Sequence, residues 1–188
     1  MKNFLTAAIM AALFASNSFA VSLIPRIGVD IPTSVDYSKG RNLNEDAKLG
    51  FNIGAELRGD LSKHFGWGAG LEYNFPRGLR NWNGLSNIDD SDFSFLPVFI
   101  SALWYPLGDW DKARPYVKVS GGYNLFATNQ MGSGMSGSWY WGGGIGVEYK
   151  NLAAEFFSSQ LYATYNDPDK TDMRYTKMGF TLGYKFKI

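Results

Sequence analysis

The chain has 188 residues, no cysteine, a single histidine and a formal net charge of +1 with its signs scattered along the sequence. That composition excludes disulfides, thiolate metal sites and a cysteine-linked lipid anchor, and it leaves no basic stripe for nucleic acid. The mean hydropathy is slightly negative, a value that hides any difference between the two faces of a sheet.

Residues Met1 to Ala20 open with Lys2, run apolar from Phe4 to Phe14 and exit through Ser18, Phe19 and Ala20. This is the pattern of a secretory signal peptide cut before Val21, so residues 1–20 are expected to leave and 21–188 to form one domain. The apolar run is too short to span a bilayer, and no later stretch approaches the ~20 apolar residues of a membrane helix. A membrane form of this chain therefore crosses as strands.

Period-two alternation predicts eight strands: Leu23 to Ser34, Lys48 to Arg58, Phe65 to Phe75, Phe93 to Tyr105, Arg114 to Phe126, Trp139 to Lys150, Leu152 to Tyr165 and Met173 to Ile188. The second alternates Leu49, Phe51, Ile53, Ala55, Leu57 with Gly50, Asn52, Gly54, Glu56. The last alternates Met178, Phe180, Leu182, Tyr184, Phe186, Ile188 with Gly179, Thr181, Gly183, Lys185, Lys187. Two strands are less regular: Leu96 to Trp104 is apolar on both faces apart from Ser101, and Phe157 to Leu161 breaks phase, which suggests a bulge. The connections alternate between long (35–47, 76–92, 127–138, 166–172) and shorter (59–64, 106–113, 151).

An even strand count, alternating loop lengths and aromatics gathered toward strand ends describe an all-β, eight-stranded antiparallel up-and-down transmembrane barrel, with short periplasmic turns and longer extracellular loops. The competing reading is a secreted soluble barrel with inside and outside exchanged. It would have to pack Trp67, Tyr73, Phe75, Trp139, Trp141, Tyr149 and Tyr184 into a small interior, and it gives no reason for the loop asymmetry.

The terminal Phe180, Leu182, Tyr184, Phe186 alternation, the Pro97 to Tyr105 strand followed by Arg114, Pro115, Tyr116, and the Gly142, Gly144, Gly146, Glu148 strand carry a family likeness. On these residues the chain resembles the small outer-membrane barrels of the OmpA transmembrane-domain, OmpX and opacity-protein type. The resemblance implies the bacterial outer membrane, contact with its lipid and lipopolysaccharide, and handling by the barrel assembly machinery through the C-terminal strand. It further implies a monomer and a possible extracellular or host surface as partner. Members commonly finish on Phe, whereas here Lys187 and Ile188 follow Phe186.

On the polar phase Arg26, Asp30, Glu56, Arg58, Glu72, Lys118, Glu148, Glu155, Lys177 and Lys185 are expected to face the lumen, acids and bases in balance. Most lie within about five residues of the periplasmic rim, which at ~3.3 Å per residue gathers them in one half of the barrel. An unpaired charge there costs several kcal/mol, so strand adjacency predicts the pairs Arg26–Glu56, Lys118–Glu148 and Lys185–Glu155. These charges form either a gate or a polar plug. The inward glycines (among them Gly28, Gly54, Gly68, Gly70, Gly122, Gly144, Gly146 and Gly179) either leave a water-filled cavity or make room for long side chains.

Catalysis has little support, because the single histidine, His64, falls beside Lys63 in a periplasmic turn, far from the outer mouth where a Ser-His pair would act; no catalytic or cofactor-binding residue is expected. No metal site is assigned, since the acidic 166–172 loop reads as an ordinary Pro-containing turn and lacks the Gly and terminal Glu of an EF-hand. In the second long loop Leu79, Trp82, Leu85 and Ile88 recur every three residues near Arg77 and Arg80, suiting either a surface-interaction edge or a cap on the mouth. Residues 129–138, rich in Gly, Ser and Met, are expected to be mobile. The expected role is a non-enzymatic structural or surface-interaction barrel, the alternative being a narrow channel or transporter through a Gly-lined polar lumen.

Overall fold

The structure, a computed structural model, describes residues 21–31, 34–38, 45–46, 49–77, 93–108, 113–129, 135–165 and 172–188. The predicted signal segment, 1–20, lies outside them. Eleven strand segments are present: β1 (Val21–Ile31), β2 (Ser34–Ser38), β3 (Glu45–Asp46), β4 (Gly50–Asp60), β5 (Phe65–Arg77), β6 (Phe93–Trp104), β7 (Arg114–Asn129), β8 (Met135–Tyr149), β9 (Leu152–Tyr165), β10 (Asp172–Tyr184) and β11 (Phe186–Lys187).

They make one antiparallel sheet of eight staves. β2 extends β1 along β10 (Val35 opposite Tyr175), and β3 pairs with β2 as β4 pairs with β1. β11 completes β10 against β1, with Leu23 opposite Phe186. The last stave meets the first from Arg26 opposite Gly183 to Ile31 opposite Met178, so the sheet closes on itself and leaves no free edge. The interruption at Lys185 falls near Pro25, a residue with no N–H to give the ladder; the Lys185 N–H donates instead to Asn151 O at 2.7 Å. Pairing reaches the chain's end, where the Ile188 N–H donates to Val21 O at 2.9 Å.

Burial alternates strictly on the regular staves. On β1, Ile24, Arg26, Gly28 and Asp30 are buried while Ile27, Val29 and Ile31 are exposed. Phe51, Ile53, Leu71, Ile100, Val119, Ile145, Phe156, Phe180 and Leu182 all face outward, which in water would be a very large apolar surface and in a bilayer is the required coat. Aromatics bracket this coat: Phe65, Trp104, Tyr149, Tyr184 and Phe186 at the short-turn end, Phe75, Tyr123, Trp139 and Trp141 toward the other.

The stave boundaries differ from the sequence reading where backbone pairing extends beyond the apolar pattern. β2 and β3 occupy much of the expected first loop. β7 and β8 run to Asn129 and from Met135, so half of the segment expected to be mobile, Asn129 and Met135 to Ser138, is strand, and 130–134 lies outside the described residues. Ladder hydrogen bonds join backbones whatever the side chains, and Gly or Ser does not prevent them. β9 holds its phase: Ala153, Glu155, Phe157, Ser159, Leu161 and Ala163 are all buried. The apparent break arises because Phe157 and Leu161 are apolar residues on the inner face. The irregularity lies instead in the β8–β9 pairing, between Gly137 and Tyr140. There Asn124 Nδ2 reaches from β7 to donate to Tyr162 O at 3.1 Å.

Candidate functional site

The interior is the chemically distinctive part of the molecule. All ten charged residues expected on the inner face lie there, nine of them buried and Lys185 half-buried at the short-turn rim. They form a continuous chain of ion pairs. At the rim, Glu148 accepts from Lys185 Nζ at 2.7 Å, Arg58 Nη1 at 2.9 Å and the Tyr105 hydroxyl at 3.2 Å. Arg58 also donates to Glu56, whose carboxylate further receives Arg26 Nη1 and Lys118 Nζ, each at 3.1 Å, and the Ser101 hydroxyl at 3.2 Å.

Lys118 joins Glu56 to Glu155 at 3.0 Å, and the Tyr116 hydroxyl donates to Glu155 at the same distance. Arg26 carries the chain upward by donating to Glu72 at 2.9 Å, and Glu72 in turn receives Lys177. Lys177, with no exposed surface, also reaches Asn74 and stands 3.4 Å from Asp30, which accepts from Asn52 Nδ2 at 2.9 Å. Buried charges persist only when paired and hydrogen-bonded in this way.

Of the pairs expected from strand adjacency, Arg26 and Glu56 meet, whereas Lys118 takes Glu155 and Glu56, and Lys185 takes Glu148. The barrel's stagger explains the exchange. A ladder row that starts at Ile24 passes Glu56, Gly70, Phe99, Gly122, Tyr140, Leu161 and Tyr175 and returns on the first stave at Val35. Each step around the wall therefore climbs the barrel axis, and residues level with one another in the lumen are not those opposite in the ladder.

Aromatic side chains complete the filling, and they were not singled out from sequence. The Arg26 guanidinium lies 5.0 Å from the Phe99 ring centre, Arg58 4.7 Å from Tyr116, and the Lys177 ammonium 4.9 Å from Phe157. Each of these rings sits beside an inward glycine in the ladder: Phe99 between Gly70 and Gly122, Tyr116 opposite Gly146, Phe157 between Gly144 and Gly179. A methyl group at Gly70, Gly146 or Gly179 would collide with its neighbouring ring. The glycines thus make room for side chains. A signal existed in the inward phase of β6, where Phe99 and Leu103 stand opposite Gly70 and Gly66 of β5.

What space is left is small. A cavity of about 10 Å³ lies among Arg26, Glu72, Lys118, Tyr140, Glu155 and Phe157, the size of a single water site. Toward the long-connection end, Phe95, Leu161, Ala163, Met173 and Tyr175 are fully buried, with the Phe95 and Tyr175 rings stacked at 5.8 Å. At the opposite rim Arg114, likewise unforeseen, lies 3.5 Å from the Tyr105 ring centre, and its Nη1 donates to Asp60 at 2.7 Å. His64 Nδ1 lies 3.0 Å from Tyr105 O in the turn after β4. Among the described residues there is no group of three or more His, Cys, Asp or Glu side chains able to hold a metal ion. Of the candidate interaction loop, Arg77 ends β5, while Leu79, Arg80, Trp82, Leu85 and Ile88 lie outside the described residues.

A closed antiparallel sheet with an apolar, aromatic-bracketed outer face and a charge-paired interior defines an integral outer-membrane β-barrel. The chain belongs to the family of the outer membrane protein beta-barrel domain, which it matches over residues 5–186. Among solved structures it is similar to neisserial surface protein A, at 15% identity over 89% of this chain and 97% of that one, TM-score 0.53. It is also similar to Ail, the attachment invasion locus protein of Yersinia pestis, in complex with sucrose octasulfate (16% identity, 89% and 99% covered, TM-score 0.49). A third likeness is to outer membrane protein W of E. coli (18%, 90% and 100%, TM-score 0.46). No curated protein sequence matches significantly.

Proposed function

We propose that the protein is a non-enzymatic barrel of the bacterial outer membrane with a structural or surface-interaction role, presenting its long connections outside the cell. The observation that carries this reading is the filled interior. Ten paired charges and their aromatic partners fill the middle of the lumen, and the cavity of about 10 Å³ among Arg26, Glu72, Lys118 and Glu155 has room for nothing larger than water. The channel alternative drew on the glycine-lined lumen, and of those glycines Gly70, Gly122, Gly144, Gly146 and Gly179 stand beside Phe99, Phe157 or Tyr116 while Gly68 faces Glu56 and Ser101. Against an enzyme stands the position of His64, which lies in a short turn at the periplasmic rim with its ring Nδ1 3.0 Å from the Tyr105 backbone carbonyl.

In this reading the loop bearing Arg77, Leu79, Arg80, Trp82, Leu85 and Ile88 meets an extracellular or host surface, lipid and lipopolysaccharide surround a single barrel, and the assembly machinery engages the strand ending Phe186, Lys187, Ile188. The test is swelling of proteoliposomes in small sugars together with external protease on intact cells. Swelling at the protein-free rate and cleavage confined to the long connections are expected; fast swelling would favour the transport alternative.

A further inference from the structure

The lipid-facing coat is interrupted on one side. The outward series of β9 begins with Leu152, Ala154 and Phe156 and then turns polar at Ser158, Gln160, Tyr162 and Thr164. In the ladder Ser158 stands between Met178 and Gly143, and Gln160 between Thr176 and Trp141, so the polar side chains begin at the upper margin of the apolar coat, beside its tryptophans. Next to the polar pair the wall also loses bulk: Gly143 on β8 and Gly121 on β7 both face outward, and a side chain begun at Gly121 would meet no atom within 4 Å. Trp139, Trp141 and Tyr123, all exposed, flank the depression.

The hydrogen-bond inventory shows what this surface lacks. Gln160 Oε1 accepts from the Tyr162 hydroxyl at 2.8 Å. That engages one lone pair of the amide oxygen and leaves its two N–H donors with no partner among the described residues. In hydrocarbon an unpaired amide is costly, and acyl chains cannot satisfy it. A lipid brings acceptors, because its acyl-linked carbonyls lie just below the headgroups, level with the upper aromatic girdle.

We propose that the outer wall over Gly121, Gly143, Ser158 and Gln160 is a docking surface for an outer-leaflet lipid, whose acyl chain lies in the depression and whose ester or amide carbonyl accepts from Gln160. Tyr162 orients the amide, and the two glycines admit the chain. This goes beyond the structural role and needs only that the barrel be embedded.

The test uses the full chain in vesicles of ester-linked diphytanoyl phosphatidylcholine and of its ether-linked counterpart, which has no acyl carbonyl, with retained lipid counted by native mass spectrometry after gentle release. Retention of the ester lipid, falling roughly tenfold in the ether lipid and in Gln160→Leu, is the expected result. Gly121→Phe, which fills the depression without touching the amide, should lose retained lipid while keeping the heat-modifiable migration of a folded barrel. Equal retention of both lipids, or by Gln160→Leu, overturns the proposal. A protein dimer abolished by Gln160→Leu overturns it in favour of a second copy.

Discussion

Glu56→Gln is the substitution that most severely disturbs the interior. The Glu56 carboxylate has no exposed surface and receives Arg26, Arg58, Lys118 and Ser101. Removing its charge while keeping its shape leaves five buried or half-buried cations facing four carboxylates. Loss of one partner from a buried ion pair costs about 3–5 kcal/mol. Arg26, Arg58 and Lys118 all reach one carboxylate oxygen and Ser101 the other, so Gln with its oxygen toward the cations keeps a neutral acceptor there and turns its N–H to the Ser101 hydroxyl, and a loss near the lower end, about 3 kcal/mol, is expected. Lys118→Met alone leaves Glu56 and Glu155 short of a cation and should also destabilise. The double variant restores neutrality and should lose about 1–3 kcal/mol less than the sum of the two. The assay is urea unfolding in phospholipid vesicles, followed by tryptophan fluorescence and by the migration shift of the folded barrel. A Glu56→Gln loss below about 1 kcal/mol, the scale of an exposed pair, with additive behaviour in the double variant, would refute the idea that the network acts as a unit.

Gly70→Leu should cost about 1–3 kcal/mol by driving a side chain into the Phe99 ring, and part of that loss should return in Gly70→Leu/Phe99→Ala, read by the same unfolding assay. On the opposite face Ile145→Arg should cost about 2–4 kcal/mol; an unchanged midpoint would show that this wall does not face lipid. Asn124→Ala removes the donor that serves the Tyr162 carbonyl beside the β8–β9 irregularity, and a loss of about 1–3 kcal/mol is expected. Intact mass measurement of protein purified from outer membranes should give a chain beginning at Val21, and a mass that includes residues 1–20 would contradict the signal-peptide reading.

The wall was legible because each stave needs one apolar face. A period-two pattern such as Phe51, Ile53, Ala55, Leu57 records that requirement directly. The ends of the hairpins were less legible, since Met135 to Ser138 owe their strand to backbone pairing, and Gly and Ser look the same in a turn. Of the interior, the charged members could be read because Glu56 or Lys118 on an otherwise apolar strand has one plausible direction to face. Of their partners only Glu56 for Arg26 could be read, since the stagger that carries a row from Ile24 to Val35 is a property of the closed barrel and of no single strand. Phe99, Tyr116 and Phe157 escaped notice for the opposite reason. An apolar residue on the inner phase looks like an irregularity until its glycine neighbours on the adjoining staves are known.

Single-channel recording of the purified full-length protein in planar bilayers tests the filled interior most directly. Ten charges paired across the lumen and packed against aromatic rings predict a baseline no different from lipid alone, with no steady channel under a sustained potential. Long-lived openings on the order of nanosiemens would contradict the account, because they require a continuous water path through Glu56, Lys118 and Glu155.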